Sequence, residues 1–166
     1  MRRAIWRLLL RARFVLWQHR RHDRLVIERG LGLPLVVLPG VLNPALFRSS
    51  GVVLEALDGG AVPAGATVLD LGTGSGVLAV GAARSARSVV AVDINPAAVR
   101  CARINALLNG VEDRVEVRGG DLFAPVAGER FDVVLCNPPF FRGTPRTPFE
   151  AALYSTDFAE RLSGEL

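Results

Sequence analysis

The chain contains no lysine, two cysteines and two histidines among 166 residues, and no apolar run close to the roughly 18 residues that a membrane span needs. Each shortage removes something. Cys101 and Cys136 have no ligand-like spacing and no histidine pair near them, so they read as reduced, buried thiols of a cytoplasmic protein. His19 and His22 both fall in an arginine-rich stretch, and a metal site has little to build on. With every basic residue an arginine, the Gly-Lys-Ser/Thr of a phosphate-binding P-loop is excluded as well. The length fits one domain with a substantial core, and half of the residues are apolar.

The charge is unevenly spread. Residues 1–30 hold nine arginines against Asp23 and Glu28, whereas the rest holds 11 arginines against 14 acids. The high isoelectric point therefore belongs to the N-terminal segment, and the remainder is mildly acidic. Within that segment, Ile5, Leu8, Leu9, Ala12, Val15 and Leu16 recur at helical spacing, with Arg3, Arg7 and Arg11 on another face. Residues 1–22 thus read as a basic amphipathic helix. It does not make a convincing signal peptide, because Arg7, Arg11 and Arg13 interrupt the apolar positions and no cleavage site follows. Three roles stay open for it: packing on its own domain, contact with RNA or an acidic surface, or contact with a membrane surface.

Residues 23–64 form an upstream segment, with short strands expected around Leu25–Ile27 and Leu35–Leu38, a turn at Asn43-Pro44 and a helix over Phe47–Leu57. From residue 65 to 166 the pattern becomes strand–helix alternation. Strands are expected at Val68–Leu71, Ser88–Val92, Val115–Val117 and Phe131–Cys136. Helices are expected at Val77–Arg84, Pro96–Leu108 and Phe149–Leu162. That alternation implies an α/β fold: a Rossmann-like, doubly wound, mostly parallel sheet covered on both faces.

The polar residues fall at the C-terminal ends of those strands, where open α/β sheets bind ligands. Asp70-Leu71-Gly72-Thr73-Gly74-Ser75-Gly76 ends the first strand and opens a helix, so backbone can approach a ligand closely and free N–H groups face it. The spacing is not the dinucleotide fingerprint, since Val77 follows Gly76. An acid before the glycines disfavours a pyrophosphate and suits a ligand with a cationic end. Asp93 closes the second strand at a position able to accept from ribose hydroxyls, and Asp121, in Gly119-Gly120-Asp121-Leu122, could accept from an adenine amino group. Singly, each acid could be a turn residue. Asn137-Pro138-Pro139-Phe140 ends the fourth strand and puts an amide, rigid carbonyls and an aromatic face at one point, groups suited to a planar, nitrogen-bearing substrate.

Asp70–Gly76, Val92-Asp93-Ile94-Asn95-Pro96, Gly120-Asp121-Leu122-Phe123 and Asn137–Phe140 together resemble class I S-adenosylmethionine-dependent methyltransferases. More narrowly they resemble the HemK-like, methyltransferase small domain group, which modifies the glutamine amide of release factors. The Asn-Pro-Pro-aromatic tetrad also occurs in enzymes acting on exocyclic amino groups of adenine or guanine. Residues 65–142 carry the match, and Val41–Pro44 with Phe47-Arg48-Ser49-Ser50 is similar to the group's upstream segment.

The resemblance implies S-adenosylmethionine as cofactor, with Gly72, Thr73, Gly74 and Gly76 near its methionine part and Asp70 near its ammonium. Asp93 would hold the ribose, Ile94 would pack on the adenine, and Asp121 with Leu122 would face the adenine edge. Asn137, which would also touch the cofactor, and the Pro138 carbonyl would accept from the target amino group, Pro139 would complete the tetrad, and Phe140 would stack on the planar group. The implied substrate is a protein, such as a translation factor, or RNA. A catalytically silent partner that keeps the fold is the reading from a different class.

Family sheets have seven strands, three of them after the tetrad, whereas here one helix is expected after it and the last strands are lacking. The fourth strand should then be an uncovered edge. A shortened reading frame, an edge covered by another chain in an oligomer, and a compact variant that no longer catalyses are the three accounts. The helical recognition domain of the release-factor enzymes has no counterpart in residues 1–60.

Overall fold

The computed structural model describes residues 24–29, 32–46 and 48–165; the basic helix expected over residues 1–22, and Phe47, lie outside the described residues. Two short strands, β1 (Val26–Glu28) and β2 (Leu35–Val37), pair antiparallel, and a 3-10 turn at Pro44–Leu46 leads into α1 (Arg48–Asp58). The alternating part then follows as β3 (Thr67–Leu71), α2 (Val77–Ala82), β4 (Ser88–Asp93), α3 (Pro96–Leu108), β5 (Val115–Gly119) and β6 (Val133–Cys136).

These four strands make one parallel sheet in the order β5-β4-β3-β6. Period-two alternation divides its side chains between two cores. Val68, Val89, Ala91, Val115 and Val117 pack with α2, α3 and the α1 residues Leu54 and Leu57. Leu69, Leu71, Val90 and Val92 face the other way, against Leu122, Val126, Phe131, Phe158 and Leu162. Burial on both faces is why these strands read as apolar runs.

Helix α3 has the bounds its sequence announces. The Asn95 side chain caps it by accepting the Ala97 N–H at 2.9 Å, Pro96 stands in its first turn, and Gly110 adopts φ +64° just past its end.

The tail corrects one expectation. Instead of a single helix over Phe149–Leu162 there are β7 (Phe141–Arg142), α4 (Pro148–Ala151), β8 (Tyr154–Ser155) and α5 (Phe158–Glu165). Tyr154 and Ser155 pair in parallel with Phe141 and Arg142, which pulls them out of helical geometry. Ser155 Oγ then accepts the Phe158 N–H at 3.0 Å and starts a new helix. Among the described residues β6 has β3 as its one ladder partner, so it is the sheet edge that was expected, with Val134 39% exposed.

Candidate functional site

Parallel pairing puts the four motif-bearing strand ends in a row. Leu71 of β3 is opposite Cys136 of β6, so the glycine loop and Asn137 leave adjacent strands side by side. Asp93, the last residue of β4, is opposite Gly119 of β5, so Gly120-Asp121 emerges beside it. Along the sheet edge the order is therefore Asp121, Asp93, the 70–76 loop, then Asn137. A cleft of about 320 Å³ opens over this edge. Gly72, Thr73 and Gly74 line it, as do Asp93, Ile94, Asp121, Leu122, Asn137 and Pro139. Asp70, Gly76, Pro138 and Phe140 stand outside that lining.

The loop is anchored from below. The Gly72 and Thr73 N–H groups both donate to the Val92 carbonyl, at 2.9 and 3.0 Å. Gly72 and Gly74 take left-handed φ of +71° and +58°, and a Cβ on Gly72 would meet no protein atom within 4 Å, so the open side of the loop is unfilled backbone. Gly76 is different: a Cβ there would fall 2.8 Å from Ala102 Cα, so its bareness serves the close packing of loop and α3.

Asp70 is buried to 1% exposure beneath the loop. Its Oδ2 accepts from Thr73 Oγ1 at 2.6 Å and the Ala79 N–H at 3.0 Å, while Oδ1 has no partner. Burial, opposed by those two hydrogen bonds, pushes its carboxyl up to about 6. Asp93 is also raised by burial; its Oδ2 accepts the Gly74 N–H and its Oδ1 the Asn95 N–H, both at 2.8 Å. One lone pair on each oxygen remains for a ligand. Ile94 beside it is 61% exposed, an apolar surface at the rim of the cleft.

Asp121 is held by Arg161 of α5, whose Nη2 donates to Oδ2 at 2.7 Å. The next residue, Leu122, is the one non-glycine with positive φ among the described residues, at +44°, and its side chain is buried. Asn137 Nδ2 donates to Ser49 Oγ and Ser50 Oγ, each at 3.3 Å. No described residue donates to its Oδ1. Phe140 is 55% exposed, and Phe141 packs on Tyr154 with ring centroids 5.4 Å apart. The Cys136 thiol is pushed up to about 11 by burial and then by Asp70, so it is no nucleophile at neutral pH.

The sequence did not single out Tyr154, Ser155 or Arg161, which the folded-back tail brings into the cleft wall. Their positions depend on the β7–β8 pairing, which has no local signature. Ser49 and Ser50 were within reach, as part of the family-like upstream segment, without a role.

Residues 34–154 match the family described as methyltransferase small domain. The chain belongs to this family. Among curated relatives of this methyltransferase domain, the ribosomal RNA small subunit methyltransferase C of Alcanivorax borkumensis is 36% identical over 131 residues, covering 78% of this chain and 37% of the relative. The release factor glutamine methyltransferase of Gloeobacter violaceus is 38% identical over 133 residues, covering 75% and 46%. Among solved structures, a T. thermophilus 16S rRNA N2 G1207 methyltransferase in complex with AdoMet and guanosine superposes with a TM-score of 0.57 at 33% identity, over 70% of this chain and 33% of that one. The methyltransferase domain spans less than half the length of these relatives.

Its cofactor is S-adenosylmethionine. The residues fit that group. The loop's open side can receive a ligand against bare backbone, Asp93 keeps lone pairs for hydroxyls, and the unpaired Asp70 oxygen favours a cation nearby.

Proposed function

We propose that the chain methylates a planar nitrogen, and that this nitrogen is the side-chain amide of a glutamine in a protein, such as one of the translation machinery. The observation that carries this reading is Asn137: both its N–H bonds are directed to serines, no described residue donates to its Oδ1, and it stands beside the glycine loop. S-adenosylmethionine supplies a methyl group on a sulfonium, which is electrophilic without help from a metal or a base. Gly72, Thr73 and Gly74 would hold its methionine part, with Gly76 closing the loop against α3 and Asp70 contributing negative potential from below. Asp93 would accept from its ribose, Ile94 would cover the adenine, and Asp121 with Leu122 would border the adenine edge.

An amide nitrogen is a weak nucleophile because its lone pair is delocalised. Asn137 Oδ1 and the Pro138 carbonyl would accept its two N–H bonds from outside the amide plane, which favours the pyramidal nitrogen that attacks. Pro139 keeps that turn rigid, and the exposed Phe140 ring would stack on the planar group. Alignment and electrostatics then supply the catalysis.

A glutamine amide is placed before a nucleobase on the likeness to a release factor glutamine methyltransferase, and the pairing of several arginines agrees with it. Near the acceptor end, Arg142 is paired with Glu160 and Arg161 with Asp121, while elsewhere Arg84 and Arg118 also hold carboxylates. Such arginines form no open phosphate-binding stripe. The second reading, an exocyclic amino group of adenine or guanine, is favoured by the exposed Phe140 and would draw its phosphate contacts from the arginine-rich residues 1–30. Methyl transfer from tritiated cofactor to a glutamine-containing peptide and to a single-stranded oligoribonucleotide separates the two. Label in the peptide that Asn137→Ala abolishes is the expected result; label in neither acceptor overturns the enzymatic reading, and label in the RNA alone selects the second.

A further inference from the structure

We infer that Ser49 and Ser50 are positioning residues for Asn137, holding its side-chain amide in place beside the methyl acceptor. The inference rests on the reading of Asn137 as the acceptor clamp. The two ends of an asparagine amide are nearly alike in shape and opposite in hydrogen bonding. Turned one way, Asn137 offers an acceptor to a substrate NH₂. Turned the other, it offers its own N–H bonds, and two donors meet. Among the described residues, nothing on β6 itself holds the amide in place.

The hold comes from 87 and 88 residues upstream. Asn137 Nδ2 has two hydrogens, and two hydroxyls stand ready for them, Ser49 Oγ and Ser50 Oγ at 3.3 Å each. Both serines lie in the first turn of α1, and Ser50 is 5% exposed and shares the cleft wall with Asn137. Serine hydroxyls donate as well as accept, so they anchor the amide plane, and in the orientation found here the acceptor end is left toward the open side. This also gives the upstream segment a task at the site: α1 packs on α2 through Leu54 and Leu57, so its first turn is held at a fixed distance from the strand ends.

The test uses the full chain, S-adenosylmethionine and a glutamine-containing peptide as the acceptor probe. Removing both hydroxyls (Ser49→Ala with Ser50→Ala) should lower kcat by about tenfold or more while cofactor affinity stays within about twofold, because only the alignment of the acceptor changes. Threonine at both positions should restore most of kcat, since it returns the hydroxyls. In the ¹⁵N spectrum the Asn137 side-chain NH₂ pair, assigned by its loss in Asn137→Ala, should shift and exchange faster with water in the double alanine variant. If Asn137→Ala abolishes transfer and the double variant keeps wild-type kcat, the positioning role is overturned and the clamp stands. If Asn137→Ala itself transfers normally, the clamp reading fails. Should the double variant not fold, Ser49→Ala alone, at the more exposed of the two serines, carries the same spectral test, and an unmoved NH₂ pair overturns the inference.

Discussion

Asn105 holds both main-chain groups of Val36: its Oδ1 accepts the Val36 N–H at 2.7 Å and its Nδ2 donates to the Val36 carbonyl at 2.7 Å. The same Nδ2 donates to the Ser75 carbonyl at 2.8 Å, so one fully buried side chain on α3 ties the β1–β2 hairpin to the glycine loop. Other asparagines repeat the device at smaller scale. Asn109 donates to the Pro34 carbonyl, Asn95 to the Gly40 carbonyl, and Asn43 to Glu28 Oε1. With Asn137 on the α1 serines, all five asparagines of the chain join its upstream segment to itself or to the sheet domain.

Asn105→Ala should therefore destabilise the fold by about 2–4 kcal/mol, since it takes a partner from the Val36 N–H and the Ser75 carbonyl and leaves the Val36 carbonyl with only the weak Cys101 thiol donor. Urea denaturation measures it. A loss below about 1 kcal/mol would mean that water replaces the side chain and that the staple is incidental.

Gly72 and Gly76 should separate binding from folding. Both have left-handed φ, +71° and +82°, so alanine strains either backbone by about 1 kcal/mol. At Gly76 the new Cβ also meets Ala102 at 2.8 Å, and overpacking against backbone adds about 1–3 kcal/mol. At Gly72 the Cβ enters open space in the cleft. Thermal melting should fall clearly more for Gly76→Ala, whereas calorimetric S-adenosylmethionine affinity, compared below both melting transitions, should fall more for Gly72→Ala. The reverse ranking in either measurement would contradict the division of labour.

Asp93→Ala should weaken cofactor affinity about 10- to 100-fold, the scale of one or two lost charge-assisted hydrogen bonds. It also releases the Gly74 and Asn95 N–H groups, so the loop loses a tether as well as a ligand group. Asn137→Ala should instead leave that affinity nearly unchanged and lower turnover about 100-fold or more. Calorimetry and single-turnover methyl transfer distinguish the pair; an Asp93→Ala protein with wild-type affinity would remove Asp93 from the cofactor site.

What the sequence made legible is what local chemistry governs. The strand ends announced themselves because an apolar run must stop where an acid or glycine begins, and α3 was bounded correctly because Asn95-Pro96 and Asn109-Gly110 start and stop helices by backbone rules. The parallel sheet followed from the alternation. Legibility failed where distant groups decide. Residues 149–162 carry a helical pattern, but pairing of Tyr154-Ser155 with Phe141-Arg142 overrides it. A buried asparagine such as Asn105 has no signature in its own helix, because its three partners lie 30 and 69 residues away. The strained Leu122 and the Arg161–Asp121 bridge are likewise set by what packs around them.

Asp70 predicts a pH dependence whose direction is opposite to that of an ordinary paired carboxylate. It titrates near 3.8 when unfolded and near 6 in the fold, because burial outweighs its hydrogen bonds to Thr73 and Ala79. Between those values the folded chain binds more protons than the unfolded one, so the contribution of this group to stability declines as pH rises from about 4 to 6. The total change is on the order of 3 kcal/mol, and the penalty is full above that window. Asp70→Asn keeps an oxygen for Thr73 and Ala79 and removes the charge, so the difference in unfolding free energy between variant and wild type should move in the variant's favour across pH 4–6 and be flat above 7. A cationic ligand beside the loop draws Asp70 toward its charged form, so wild-type affinity for S-adenosylmethionine should rise over the same interval by more than that of the variant, in which only Asp93, also raised by burial, still ionises. Parallel affinity profiles for the two proteins would show that Asp70 shapes the loop without sensing the ligand's charge.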